Sequence, residues 1–87
     1  MKEVKYTIVD PVGFHARPAG AVAKALKAFD AKVTVFKGEK SADMTKLLKV
    51  MGLGIKQGDE ITVQIDGAAE AECAAALDAF MKENNLI

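Results

Sequence analysis

The chain has 87 residues, of which 51% are hydrophobic and 28% charged, with one cysteine, one histidine and no tryptophan. This length predicts a single domain, residues 1–87, stabilised by its hydrophobic core. One cysteine and one distant histidine exclude an intramolecular disulfide and a zinc site.

Charge is distributed unevenly along the chain, although the formal net charge is zero. Residues 1–56 carry eleven basic and five acidic groups, giving +6, and residues 57–87 carry one basic and seven acidic groups, giving −6. The basic half favours a phosphate or an acidic protein as partner. Nucleic acid is disfavoured, because few aromatic side chains are present to stack on bases.

The beginning of the sequence leads straight into an alternating strand pattern and shows no signal peptide. No apolar run is long enough to cross a bilayer. With its unpaired cysteine, the sequence predicts a cytoplasmic protein without membrane insertion.

The first predicted element is a strand at residues 2–9, with Val4, Tyr6 and Ile8 facing the core. Pro11 and Gly13 end this strand, and the apolar period then changes from two to about 3.6 residues. The change predicts a helix at about residues 16–29. Its apolar residues at core spacing are Ala19, Val22, Ala23, Leu26 and Phe29.

The rest of the chain predicts two further helices and three further strands. They are a strand at 32–37, a tight turn, a short edge strand ending near Asp43, a helix at about 46–51, a strand at 60–66 and a helix at about 68–84 capped by Asp66. Four strands with polar backs predict an α+β fold of order βαββαβα. It is a two-layer open-faced sandwich, with three helices on one face of a four-stranded antiparallel sheet.

The short second helix has four apolar residues in two turns, Leu47, Leu48, Val50 and Met51, which is more than one buried stripe accommodates. Some should therefore be exposed as a docking surface. The pattern alone is equally consistent with all four packing inward.

The chain's only histidine and only arginine, His15 and Arg17, lie together at the predicted start of the first helix. Pro18 is compatible with a first helical turn, where its missing N–H costs nothing. A helix N-terminus favours anions, and a guanidinium can bind phosphoryl oxygens in a fork geometry. A histidine standing alone here would favour a cap or a surface residue; the Gly-x-His-x-Arg-Pro context favours an exposed nucleophile.

Other chemistries lack the residues they require. Ser41 is the only serine, which disfavours a Ser-His-Asp triad, and no glycine-rich nucleotide loop is present. The sequence therefore predicts no cofactor, no metal and no small-molecule substrate. A neutral imidazole can nevertheless accept a phosphoryl group without a general base.

The run Gly13-Phe14-His15-Ala16-Arg17-Pro18-Ala19 resembles the active-site signature of HPr, the histidine-containing phosphocarrier family of the bacterial sugar phosphotransferase system. The run Leu47-Leu48-Lys49-Val50-Met51-Gly52-Leu53-Gly54 resembles that family's second helix and following loop. The resemblance covers essentially all 87 residues. Phe14 departs from the smaller aliphatic residue that is usual before the histidine.

The resemblance implies a carrier rather than an enzyme. His15 would accept a phosphoryl group, on Nδ1 in the family, from phosphorylated enzyme I, which phosphoenolpyruvate charges. The group would then pass to the IIA component of sugar permeases. Arg17 and the backbone N–H groups near Ala16 and Arg17 would stabilise the transferred group, in a protein expected to be monomeric.

The same resemblance places the partner surface on the first two helices. The residues expected there are Phe14, Gly20, Lys24, Lys27, Lys46, Leu47, Leu48, Lys49 and Met51. Lysines would steer acidic partners, while the apolar residues would dock. Either close packing or close approach of a partner would explain a glycine at position 20.

Two alternatives belong to other classes. One is a regulatory HPr paralogue, in carbon or nitrogen control, that acts mainly by binding proteins. The other is a small α+β domain that senses an anion at the helix start. A further departure lies at Lys46, where many HPr proteins carry a regulatory serine that an ATP-dependent kinase phosphorylates; Thr45 is the nearest hydroxyl here.

Overall fold

A computed structural model of the chain describes residues 2–11, 13–14, 16–84 and 86–87, without the side chains of Ala16 and Pro18. Four strands and three helices follow one another in the predicted order βαββαβα. They are β1 (Lys2–Thr7), α1 (Ala16–Leu26), β2 (Lys32–Lys37), β3 (Lys40–Asp43), α2 (Leu47–Met51), β4 (Glu60–Asp66) and α3 (Glu70–Glu83).

The four strands form one antiparallel sheet in the order β1-β4-β2-β3. The predicted edge strand, β3, lies at one side, where Val35 pairs with Ala42. Val35 also pairs with Val63 of β4, which in turn pairs with Val4 of β1, so apolar residues meet across the sheet on one face.

One face of the sheet is buried because the apolar residues alternate with polar ones. The side chains of Val35, Ile61, Val63 and Ile65 are fully buried, whereas Glu60 and Asp66 of β4 are exposed. The helices supply the opposite side of the core through the buried residues Val22, Leu26, Val50, Cys73, Leu77 and Met81. The predicted α+β sandwich is thus confirmed.

The first strand and first helix end earlier than predicted. After Thr7 the backbone leaves the sheet: Ile8 N–H still binds the Asp59 carbonyl at 3.0 Å, but the Asp59 N–H turns back to the Lys56 carbonyl and Val9 N–H binds the Leu86 carbonyl at 2.8 Å. Helix α1 ends at Leu26, and Phe29 N–H then bonds three residues back to the Leu26 carbonyl at 3.1 Å, which tightens the final turn.

The expected cap of the last helix is wrong. Asp66 is the final residue of β4, and the N-cap position of α3 is occupied by Ala69, whose side chain makes no capping bond. Ala69 N–H binds the Asp30 carbonyl at 3.2 Å, and the Ala69 carbonyl accepts the first helical bond, from Cys73 N–H at 2.8 Å, so the helix starts two residues later than predicted. Glu70 and Glu72 lie in its first turn, where their negative charges interact favourably with the positive end of the helix dipole.

Within the part of the chain that the structure describes, no helix combines the length and the apolar character needed to cross a membrane.

Candidate functional site

Gly13 and Phe14 carry the chain into α1 along the loop that follows α2. Phe14 N–H binds the Ile55 carbonyl at 3.1 Å. Gly13 has a φ of 81°, and a Cβ there would lie 2.5 Å from the Ile55 oxygen and 2.7 Å from the Cα of Lys56. Only glycine fits this approach, because any side chain would collide with backbone.

His15 lies outside the described residues, and in the sequence it directly precedes Ala16, where α1 begins. Arg17 is exposed in the first turn of this helix. That turn contains no acidic residue, so no carboxylate within it offsets the positive end of the helix dipole. The start of α1 can therefore favour an anionic group.

The loop at residues 54–59 contacts both this region and the end of β2. Lys37 Nζ donates to the Gly54 carbonyl at 2.7 Å and lies 3.0 Å from Oδ2 of Asp59. The same carboxylate accepts a hydrogen bond from Lys56 N–H at 2.8 Å. The Lys56 bond, followed by Lys37, lowers the pKa of Asp59 below its usual 3.8.

Helix α2 places part of its apolar surface in solvent. Leu48 is 83% exposed and Met51 is 41% exposed, whereas Val50 is buried and Leu47 is half-buried against the core. The prediction that some of these residues remain exposed is confirmed, and the interpretation with all four inward is wrong.

Lysines surround this apolar surface. Four lysines are exposed: Lys24 in α1, Lys27 just after it, and Lys46 and Lys49 around α2. A groove of about 350 Å³ lies between the start of α2 and Lys27, the residue that follows α1. Its lining residues are Lys27, Thr45, Lys46, Leu47, Leu48 and Lys49.

Asp43 and Thr45 organise the turn into α2. Oδ1 of Asp43 accepts hydrogen bonds from the hydroxyl and backbone N–H of Thr45. The hydroxyl bond is the main cause of the lowered pKa of Asp43, and Lys46 and Lys32 add to it. Lys46 occupies the N-cap of α2 without a capping side-chain bond.

Two residues expected on the partner surface differ in their surroundings. Phe14 is only 4% exposed and belongs to the hydrophobic core, so its side chain offers a partner little surface. Its aromatic ring fills space inside the domain.

A Cβ on Gly20 would lie 3.8 Å from Cδ2 of Leu47, an ordinary contact, so helix packing does not demand glycine there.

Lys37, Asp59 and the bonds of the 54–59 loop are absent from the sequence-based site. Their chemistry depends on backbone groups that meet only after folding, and Lys37 and Asp59 lie on different elements of the chain. Neither local periodicity nor a motif marks them.

Comparison with known proteins gives one consistent class. Residues 2–83 match the family model described as the PTS HPr component phosphorylation site. The chain is 36% identical to the phosphocarrier protein HPr of Lysinibacillus sphaericus over 86 residues, covering 99% of this chain and 98% of the relative. HPr of Mycoplasma capricolum is also 36% identical, covering 100% of this chain and 98% of that protein.

Solved structures agree. A histidine-containing phosphocarrier protein, studied for the divergence of Mycoplasma from Gram-positive bacteria, superposes with a TM-score of 0.96 at 35% identity, covering 99% of this chain and 98% of that one. HPr-C-His from Thermoanaerobacter tengcongensis has a TM-score of 0.90 at 29% identity, covering 98% and 96%. A four-stranded open sandwich with a histidine ahead of its first helix is thus the architecture of a phosphotransferase-system carrier. The chain belongs to the HPr family of phosphocarrier proteins.

Proposed function

We propose that this chain carries a phosphoryl group on His15, taking it from phosphorylated enzyme I and passing it to IIA components of sugar permeases. The observation that supports this most is the position of His15 in the sequence. It stands immediately before the first residue of α1, two residues from the exposed Arg17, in a chain of the HPr family.

The proposed transfer needs only positioning and charge stabilisation. A ring nitrogen of His15 would use its lone pair to form the new N–P bond as the bond between phosphorus and the donor breaks, its electron pair remaining with the donor. Arg17 and the N–H groups at the start of α1 would stabilise the charge on the phosphoryl oxygens. The histidine returns to its original state when the group moves on, as required of a carrier rather than an enzyme.

The partner surface in this proposal combines exposed lysines and exposed leucine and methionine side chains. Lys24, Lys27 and Lys49 would attract acidic partners, and Leu48 and Met51 would supply apolar contact area. We further propose that residues 1–87 act as one monomeric cytoplasmic domain. Sedimentation at several concentrations tests the monomer, because the crystal structures of relatives include an HPr dimer and a domain-swapped Crh.

Incubation with enzyme I and phosphoenolpyruvate, followed by intact-mass measurement, tests the proposed function. One added phosphate is expected, lost in acid and retained in alkali, as for phosphohistidine. His15→Ala should take up none while remaining folded. Acid-stable phosphate, or uptake by the alanine variant, would contradict the assignment.

A related result would favour the regulatory alternative. Crh, a catabolite-repression protein of Bacillus subtilis, matches with a TM-score of 0.75 at 25% identity. A phosphorylated chain that fails to pass its phosphoryl group to any IIA protein would point to that class. We expect transfer to proceed.

A further inference from the structure

The side chain of Lys37, the last residue of β2, holds the 54–59 loop to that strand. Its ammonium contacts two groups at opposite ends of the loop, the Gly54 carbonyl at 2.7 Å and the Asp59 carboxylate at 3.0 Å. The side chains of Lys37 and Asp59 are 30% and 31% exposed, so the pair is partly shielded from solvent. Asp59 also closes the loop on itself, through the Lys56 N–H at 2.8 Å.

The other side of this loop supports the segment that leads to His15. The Gly58 N–H donates to the Ile8 carbonyl at 2.7 Å, and the Ile8 N–H donates to the Asp59 carbonyl at 3.0 Å. Gln57 Nε2 adds a bond to the Val9 carbonyl at 3.1 Å.

The last of these contacts lies next to the acceptor residue. Phe14 N–H binds the Ile55 carbonyl at 3.1 Å, and Gly13 packs on the backbone of Ile55 and Lys56. A shift of the loop therefore moves the peptide immediately before His15.

We propose that Lys37 and Asp59 are positioning residues for His15. Together they fix the 54–59 loop, and the loop sets the direction from which residues 13 and 14 deliver the histidine to the start of α1. This inference rests on the proposed function of His15, and it adds two residues whose role would be exerted through the 54–59 loop.

The backbone dictates which residue carries which charge. The Gly54 carbonyl requires a donor from β2, and the Lys56 N–H requires an acceptor at position 59. Exchanging the two charges would keep an ion pair but would place an acceptor beside a carbonyl and a donor beside an N–H. The reversed pair therefore cannot replace the natural one.

The experiment compares Lys37→Met, Lys37→Arg and the exchange Lys37→Asp with Asp59→Lys. Lys82→Met is the matched control, because Lys82 forms an exposed 3.0 Å ion pair with Asp78 on α3. Thermal unfolding identifies any variant that fails to fold. The single histidine makes its ring signals in the proton NMR spectrum unambiguous, so the pKa of His15 can be read directly in each variant.

For Lys37→Met and for the charge-swapped double variant we expect changed His15 ring shifts and faster hydrogen exchange of the Phe14 amide. The maximal rate of phosphoryl uptake from enzyme I should fall roughly tenfold, because small misplacements of a reacting group are costly. The KM for enzyme I should stay within about twofold, since docking is not involved. Lys37→Arg should restore most of the rate, because a guanidinium can reach both acceptors.

Two outcomes would overturn the inference: Lys37→Met behaving like Lys82→Met in every readout, or the exchanged pair matching wild type. If the wild-type chain takes up no phosphate, the proposed function fails instead. In that case the His15 ring shifts and the Phe14 amide exchange, compared between Lys37→Met and Lys82→Met, still test the positioning role.

Discussion

Oδ1 of Asp43 accepts two hydrogen bonds from Thr45, one from its hydroxyl at 2.6 Å and one from its backbone N–H at 2.9 Å. The Thr45 hydroxyl is therefore engaged beside a negative charge in a half-buried position. The next residue, Lys46, stands where many HPr proteins have a regulatory serine, and it offers a cation instead of a hydroxyl.

We predict that a serine-type HPr kinase with ATP does not phosphorylate this chain. A phosphate on Thr45 would lose the bond to Asp43 and bring two like charges together. Peptide mapping after incubation should show no acid-stable phosphate, whereas Lys46→Ser should gain it as a positive control. Stoichiometric phosphate on Thr45 would instead show that the regulatory site has moved by one residue.

The Asp43–Thr45 interaction should make stability depend on pH. The pKa of Asp43 is lowered in the folded chain, so the stabilisation is present above its unfolded pKa of about 3.8 and is lost as pH falls through the folded value. Asp43→Asn keeps the shape with a neutral acceptor, which should cost about 1 kcal/mol of the free energy of unfolding at pH 7.

The measurement is urea unfolding of wild type and Asp43→Asn from pH 7 to pH 2. The difference in the free energy of unfolding should shrink below about pH 4. A difference that stays constant to pH 2 would show that the charge of Asp43 contributes nothing.

Gly20→Ala should stabilise the fold and impair docking. Alanine is favoured over glycine in a helix by about 0.5–1 kcal/mol, and the added methyl meets only Leu47 at 3.8 Å. The same methyl would project into the proposed partner surface, so the KM for enzyme I should rise. Denaturant unfolding and uptake kinetics measure the two effects separately; unchanged KM would remove Gly20 from that surface.

Much of the fold could be predicted because local pattern and global packing agree. In strand β4, Glu60–Asp66, buried residues alternate with exposed or half-buried ones, and its predicted bounds match the structure. The errors lie at element ends, where distant backbone groups compete. Strand β1 ends at Thr7, beyond which the Asp59 N–H leaves the ladder for the Lys56 carbonyl, and Ala69 at the N-cap of α3 bonds back to Asp30.

The candidate site divides in the same way. His15 and Arg17 were identifiable because each is the only residue of its type, and Leu48 because α2 has more apolar residues than it can bury. The burial of Phe14 is not predictable, because no sequence pattern shows that this side chain turns inward. Lys37 and Asp59 were missed because their partners are backbone groups of a loop, for which there is no residue pattern.

Arg17→Ala should slow phosphoryl transfer far more than it weakens binding to enzyme I. The guanidinium matters most where negative charge develops on the transferred group, so removing it should lower the rate by about two orders of magnitude. Arg17→Lys should recover only part of the rate, because an ammonium lacks the fork geometry. Rapid-quench kinetics measures the transfer rate, and equilibrium binding measures the affinity for enzyme I. Equal losses of rate and affinity would make Arg17 a docking residue.

Docking itself should combine charge steering with apolar contact, and α2 allows the two to be separated. Leu48 is 83% exposed, so Leu48→Ala removes contact area with little effect on stability, whereas Leu47→Ala would also disturb the core. We expect truncation of either leucine mainly to speed dissociation from enzyme I. Charge reversal at Lys24, Lys27 or Lys49 should mainly lower the association rate, and more so at low salt.

Surface plasmon resonance at low and high ionic strength measures both rates, and reversal of Lys82, an exposed lysine on α3, is the control. Association should slow as salt rises, because exposed charges are screened beyond about 10 Å at 0.1 M. The leucine variants should keep the same salt dependence, since they carry no charge. An association rate that ignores salt would exclude steering by these lysines, and a Lys82 effect as large as theirs would show that only net charge matters.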